Sequence, residues 1–222
     1  MPIYRLSDDL WFPDPEEFED NLVAVGGDLS VSRLLLAYSK GIFPWYEEPG
    51  EPRWYCPEER CVFHVPSFKP SKSTRLLYNK GVYSFSFDTA FHQVISACAG
   101  NGREDETWIL PEIIQAYSEL HALGFAHSVE VWREGQLVGG LYGVSLGGMY
   151  CGESMFSTES NTSKLALWHL VQKCQEWNME WIDGQVENSH LVSLGAELIS
   201  REAYLNHLEQ ALQHETHRGN WK

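Results

Sequence analysis

No stretch of 18 apolar residues occurs in the chain, which excludes a helix long and apolar enough to span a bilayer. The N-terminal MPIYRLSDDLWFPDPEEF carries early carboxylates and no continuous apolar core, so it does not read as a signal peptide. Cysteine is scarce. Cys56, Cys61, Cys98, Cys151 and Cys174 are odd in number and form no CxxC pair, which points to reduced thiols in a cytosolic protein and away from zinc. Positive charge is short as well: 16 Lys and Arg face 31 Asp and Glu, a net charge of −15 that argues against non-specific nucleic-acid binding. There is no internal repeat, no low-complexity segment and no Gly-x-Ser-x-Gly elbow, which counts against a serine hydrolase.

What is present is ordinary globular composition, 43% hydrophobic and 21% charged over 222 residues. That length suits one large domain, or a small one attached to a larger one. The stretch from Gly139 to Ser157, GGLYGVSLGGMYCGESMFS, reads as a hairpin turning at Gly147-Gly148. Its second strand runs into Gly152-Glu153-Ser154, a carboxylate beside the apolar Met155 and Phe156. Gly152 lets a ligand approach closely, and Glu153 is a candidate for a tuned functional group or, read blandly, a solvated strand end.

Before the hairpin, residues 1–20 look like an irregular, proline-containing arm with acids at Glu16-Glu17-Phe18-Glu19-Asp20. Asn21–Val25 reads as a strand ending at Gly26-Gly27, and Ser30 or Asp28 can cap a helix stopped by Gly41. Ile42-Phe43-Pro44-Trp45-Tyr46 is an aromatic cluster around a proline, followed by a loop at 47–52 and by Trp54-Tyr55-Cys56-Pro57. Arg60–Val65 is expected as a strand, 71–79 as a helix, 82–88 as a strand and 89–99 as a helix. A polar, acidic stretch at 102–106 precedes Thr107-Trp108-Ile109 and a helix begun by Pro111. Strands at 126–133 and 136–144, a helix at 160–177, a strand at 181–186, a short helix at 189–194 and a final helix at 202–212 complete the pattern. No Asp or Glu interrupts residues 60–87, where Arg60, Lys69, Lys72, Arg75 and Lys80 form a basic island on an acidic chain.

Three groups of residues gain meaning together. They are Gly152-Glu153-Ser154-Met155-Phe156-Ser157; Ile182-Asp183-Gly184-Gln185-Val186 with Asn188, His190 and Ser193-Leu194-Gly195-Ala196; and Gly26-Gly27-Asp28-Leu29 with Gly41-Ile42-Phe43-Pro44-Trp45. With Thr107-Trp108-Ile109 and Ala126-His127-Ser128-Val129-Glu130-Val131-Trp132, the chain closely resembles the bacterial leucyl/phenylalanyl-tRNA–protein transferase family, from about Phe12 to Leu208 and in the same order. The resemblance implies an α+β fold: a small N-terminal domain, here 1–62, followed by a GNAT-like domain with a mixed central sheet, here 63–222. It implies transfer of Leu or Phe, less readily Met, from aminoacyl-tRNA to the α-amine of proteins beginning with Arg or Lys. The product would be degraded by the N-end-rule machinery, and the enzyme would be a cytoplasmic monomer needing no metal or coenzyme.

Aminolysis of an ester requires a neutral amine, an aligned carbonyl and an acceptor for the amine's proton. A two-residue period would put Asp183 and Gln185 on one strand face. By resemblance Gln185 would bond the amine or ester, Asp183 would orient it or accept a proton, and Glu153 would hold Gln185 or the amine. Leu141, Met155, Leu170 and Ile182 would form the apolar pocket for the transferred side chain. Trp45 and Trp108 would lie near the terminal adenosine, and Lys72, Arg75 and Lys80 would bind the tRNA backbone. Family members usually have Cys between the Asp and the Gln, where this chain has Gly184, and a change of packing is expected there. An acyl-coenzyme-A transferase is the nearest alternative. Its pyrophosphate loop has only a poor counterpart in Gln136-Leu137-Val138-Gly139-Gly140-Leu141, which lies in a strand. A non-catalytic RNA-binding or adaptor protein would use Trp45, Trp108 and the basic island but would not need Glu153, Asp183 and Gln185.

Overall fold

The computed structural model describes residues 3–18, 20–45, 50–100 and 107–222. Tyr46, residues 47–49 of the expected loop, Glu19 and the acidic stretch 102–106 lie outside the described residues. Strands β1 (Tyr4–Leu6) and β2 (Leu22–Gly26), helix α1 (Val31–Ser39), and strands β3 (Phe43–Trp45) and β4 (Arg53–Tyr55) build a four-stranded sheet in the order β1-β2-β4-β3. Ser30 caps α1 by accepting from the Arg33 amide at 3.4 Å, as its position before the apolar run implies.

Strand β5 (Glu59–His64) belongs to a second sheet, so residue 62 lies inside one of its strands. Helix α2 (Lys72–Asn79), β6 (Ser84–Phe87), α3 (Phe91–Gly100), α4 (Pro111–Ala122), β7 (Ala126–Arg133), β8 (Gln136–Leu146), β9 (Met149–Ser157), α5 (Thr162–Glu176), β10 (Trp181–Gln185), α6 (Ser189–Ser193), β11 (Glu197–Ser200) and α7 (Arg201–Ala211) follow. The seven strands are ordered β11-β5-β10-β9-β8-β7-β6. Every neighbouring pair is antiparallel except β9 and β10. The expected α+β architecture with a mixed central sheet is therefore what the chain adopts.

Alternation along the strands gives each face of this sheet its own core. Tyr142 and Val144 point toward α1, α3, α4 and α7, whereas Leu141, Val129 and Val131 point toward α5. The hairpin strand has glycine where neighbours come too close for a side chain: a Cβ on Gly139 would stand 2.4 Å from Thr162 Oγ1 of α5.

Four short strands were not legible in the sequence. β1, β3 and β11 are sheet edges of three or four residues, and β3 carries Pro44 at a position where a missing N–H costs no ladder bond. β4, three residues long, is recruited by its neighbours β2 and β3. The arm ahead of β2 is held by two buried arginines. Arg33 donates to the carbonyls of Ser7 (2.8 Å) and Asp9 (3.2 Å), and Arg201 to those of Pro15 (3.2 Å), Phe18 and Asp20 (3.0 Å). Arg201→Met should therefore cost about 3 kcal/mol in urea unfolding and make residues 7–20 the first site of limited proteolysis.

Candidate active site

Two β-bulges in adjacent strands create the site. In β9, Tyr142 faces Ser154 and Gly143 faces Gly152, so Glu153 is the extra residue. In β10, Asp183 faces Val62 and Gln185 faces Cys61, so Gly184 is the extra residue. The parallel ladder between the two strands runs only from Trp181–Met149 to Asp183–Cys151. Beyond it lies a cavity of about 570 Å³ whose walls include Gly152–Met155 and Gly184–Leu191.

Glu153 faces inward, surrounded by donors. Its Oε1 accepts from the Tyr38 hydroxyl (2.7 Å) and from Gln185 Nε2 (2.7 Å), and its Oε2 accepts from the Tyr117 hydroxyl (3.1 Å). Burial raises its pKa from the ordinary 4.5 to about 7, an effect reinforced by the nearby Asp183 charge and opposed by the hydrogen bonds from Tyr38, Tyr117 and Gln185. Both protonation states are thus accessible near neutrality.

Asp183 is saturated. Arg60 meets it through Nε–Oδ1 (2.9 Å) and Nη2–Oδ2 (2.7 Å), the Tyr204 hydroxyl donates to Oδ2 (2.9 Å), and the Gln185 amide donates to Oδ1 (2.8 Å). Arg60 itself donates to the Gly41 carbonyl (2.9 Å) and lies over the rings of Phe43 and Tyr204. The bond from the Gln185 amide to Asp183 holds Gln185 at φ +63°, an uncommon conformation for a residue with a side chain. Asp183 and Gln185 do converge, but through this bulge and not through the plain two-residue period expected of the strand.

The expected site residues fall into two places. Glu153, Asp183, Gln185, Trp45, Trp108, Leu141, Met155, Leu170 and Ile182 all line the one cavity, although they come from five separate parts of the chain. Lys72, Arg75 and Lys80 do not line it. They sit exposed on and just after α2, which packs on α5 through Tyr78 and Trp168. Arg60 leaves the basic island altogether: it is 1% exposed and neutralised by Asp183, a charge spent inside the protein. Gly184 lines the cavity, and a Cβ there would meet Leu191 Cδ1 at 3.1 Å and the Cys61 carbonyl at 3.3 Å. A larger residue at 184 would need Leu191 to move.

Sequence reading missed Tyr38, Tyr117, Arg60 and Tyr204. Tyr38 lies on the buried face of α1 beside Leu34 and Ala37. The available signal was its hydroxyl, since a tyrosine on a buried face must find a polar partner.

Two family models cover most of the chain. One described as leucyl/phenylalanyl-tRNA protein transferase matches residues 62–209, and one described as the N-terminal domain of that protein matches 27–58. The chain belongs to the leucyl/phenylalanyl-tRNA–protein transferase family. Members from Syntrophobacter fumaroxidans and Maridesulfovibrio salexigens are each 48% identical over all of this chain, covering 96% and 94% of their own lengths. The Legionella pneumophila (strain Corby) member is 46% identical over 95% of each chain. Among solved structures, a GCN5-related N-acetyltransferase from Kribbella flavida aligns with 73% of this chain and 58% of its own at 12% identity, with a TM-score of 0.39.

Two outcomes follow from this family member's geometry. Arg60→Ala leaves the Asp183 charge buried without its counter-charge, and should cost about 3–5 kcal/mol in chemical unfolding. Glu153 holds a proton in the folded state between pH 4.5 and 7 that it releases in the unfolded state, so its contribution to stability falls as pH rises through that window. Stability measured from pH 4.5 to 8 should show this decline, of order 3 kcal/mol, and Glu153→Gln should remove it.

Proposed function

We propose that the chain transfers leucyl or phenylalanyl groups, and less readily methionyl, from aminoacyl-tRNA to the α-amine of proteins beginning with Arg or Lys, marking them for N-end-rule degradation. Membership of the family supports the reaction class. The observation that carries the assignment of residues is the meeting, in one cavity, of an apolar wall with the hydrogen-bonded Gln185–Glu153 pair and two indoles.

In this reaction the amine nitrogen forms a bond to the ester carbonyl carbon and the bond from that carbon to the ribose oxygen breaks. The nitrogen loses a proton and the leaving ribose oxygen gains one. Gln185 has committed its Nε2 to Glu153, so its carbonyl oxygen is the group left to accept an N–H of the amine and aim the lone pair. Glu153 anchors that amide and, titrating near 7, is suited to relaying a proton. Asp183 acts by holding the bulge, since its oxygens already accept four hydrogen bonds.

Leu141, Met155, Leu170 and Ile182 receive the transferred side chain and select by size, at about 1–3 kcal/mol per methylene. Trp45 and Trp108 stack on the terminal adenosine, and Lys72, Arg75 and Lys80 hold the tRNA backbone in a salt-sensitive way. The same reading treats 1–62 as the N-terminal domain and 63–222 as the GNAT-like transfer domain, of a cytoplasmic monomer.

The test is to incubate the protein with labelled Phe-tRNA or Leu-tRNA and a peptide beginning with Arg, beside the same peptide acetylated at its α-amine. Label should pass only to the free amine, and Gln185→Ala should slow transfer about 10²-fold or more. Tight tRNA binding without transfer would overturn the enzymatic reading in favour of an RNA-binding adaptor.

A further inference from the structure

We infer that Glu187 selects the basic side chain of the acceptor, by presenting an uncommitted carboxylate at the rim of the cavity; the assignment rests on the aminoacyl-transfer reading. Among the described residues three carboxylates line the cavity: Glu153, Asp183 and Glu187. Two of them are occupied. Glu153 is buried and accepts from Tyr38, Tyr117 and Gln185. Asp183 is fully buried and already neutralised by Arg60. A cationic acceptor gains nothing from a carboxylate whose charge is already shared with a guanidinium.

Glu187 differs in both respects. It is exposed, and among the described residues it takes part in no hydrogen bond or ion pair. It stands two residues after Gln185 and just before Asn188, whose side chain caps α6 by accepting from the Leu191 amide at 2.9 Å. A short capped helix on one side and the Asp183-anchored bulge on the other fix the backbone that carries it. Among the described residues no lysine or arginine lines the cavity.

The amine that attacks beside Gln185 belongs to the same residue as the side chain to be recognised. A carboxylate two residues along the wall is therefore suitably placed for a long cationic arm, while leaving the amine free to react. A carboxylate also serves both cations, as a bidentate partner for guanidinium and a point-charge partner for ammonium. The chain's general acidity, −15 overall, steers any cation to the surface but does not distinguish the first residue from later ones; one local carboxylate does.

The experiment compares two peptide acceptors that differ only at the first residue, Arg or its neutral isostere citrulline, with Phe-tRNA as donor. The ratio of their kcat/KM values is measured for wild type, Glu187→Gln and Glu187→Asp. Wild type should favour Arg by about tenfold, the worth of a hydrogen-bonded charge pair. Glu187→Gln should bring the ratio to within about twofold of one through a higher KM for the Arg peptide, and Glu187→Asp should restore most of it. A ratio that survives in Glu187→Gln, or that is already one in wild type, overturns the assignment. A fall in kcat that strikes both acceptors equally, with the ratio intact, also overturns it, because a structural role would do that. Absence of transfer by wild type to either peptide is a different failure: it removes the aminoacyl-transfer reading itself, and this assignment with it.

Discussion

The buried ion pair between Arg60 and Asp183 is the constraint on which the rest of the structure depends. Two charges removed from water carry a desolvation cost of several kcal/mol each, which only close geometry and full hydrogen bonding offset. Here both are satisfied: a two-point contact, the Gly41 carbonyl, the Tyr204 hydroxyl and the Gln185 amide. The partners come from the turn after α1, from β5, from β10 and from α7. One interaction thus fastens the smaller sheet, the larger sheet and the C-terminal helix at a single point, and the residue it leaves in a strained conformation is Gln185.

That arrangement explains how a carboxylate and an amide come to face each other inside the protein. Regular strands would keep β9 and β10 paired to their ends and leave no room between them. A bulge in each breaks the ladder, turns Glu153 toward the tyrosines and Gln185 toward Glu153, and opens the cavity at the same place. The tyrosine hydroxyls do two things at once. They satisfy the carboxylate, so that its burial is tolerable, and they partly oppose the upward shift that burial produces, leaving the group near neutrality at about 7.

Charge is distributed by the same logic. Arginines 33, 60 and 201 are turned inward, where they hold the N-terminal arm and the bulge, and among the described residues no lysine or arginine lines the cavity. The exposed cations on α2 stand apart from it. A chain that is strongly acidic overall can therefore carry a local basic surface without neutralising either.

Much of this was legible in residue order. The hairpin at 147–148, the cap at Ser30, the helix start at Pro111 and the α+β pattern follow from local rules of turn chemistry and periodicity, which act over a few residues. The family resemblance picked out nine residues from five separate segments that the structure does bring to one cavity. The short edge strands were not legible, because three residues are paired by their neighbours and not by their own propensity. Nor were the two bulges: an inserted residue breaks the two-residue period by a single step, and only the facing strand shows which residue is extra. Arg60 illustrates the remaining limit. Its neighbours in sequence made it one of five surface cations, and its neighbour in space, Asp183, 123 positions away, made it a buried anchor. The sequence by itself determined which side chains were available and what chemistry they could do. Which of them were free to do it was decided by burial and by pairing across the sheet, and those exist only once the chain has folded.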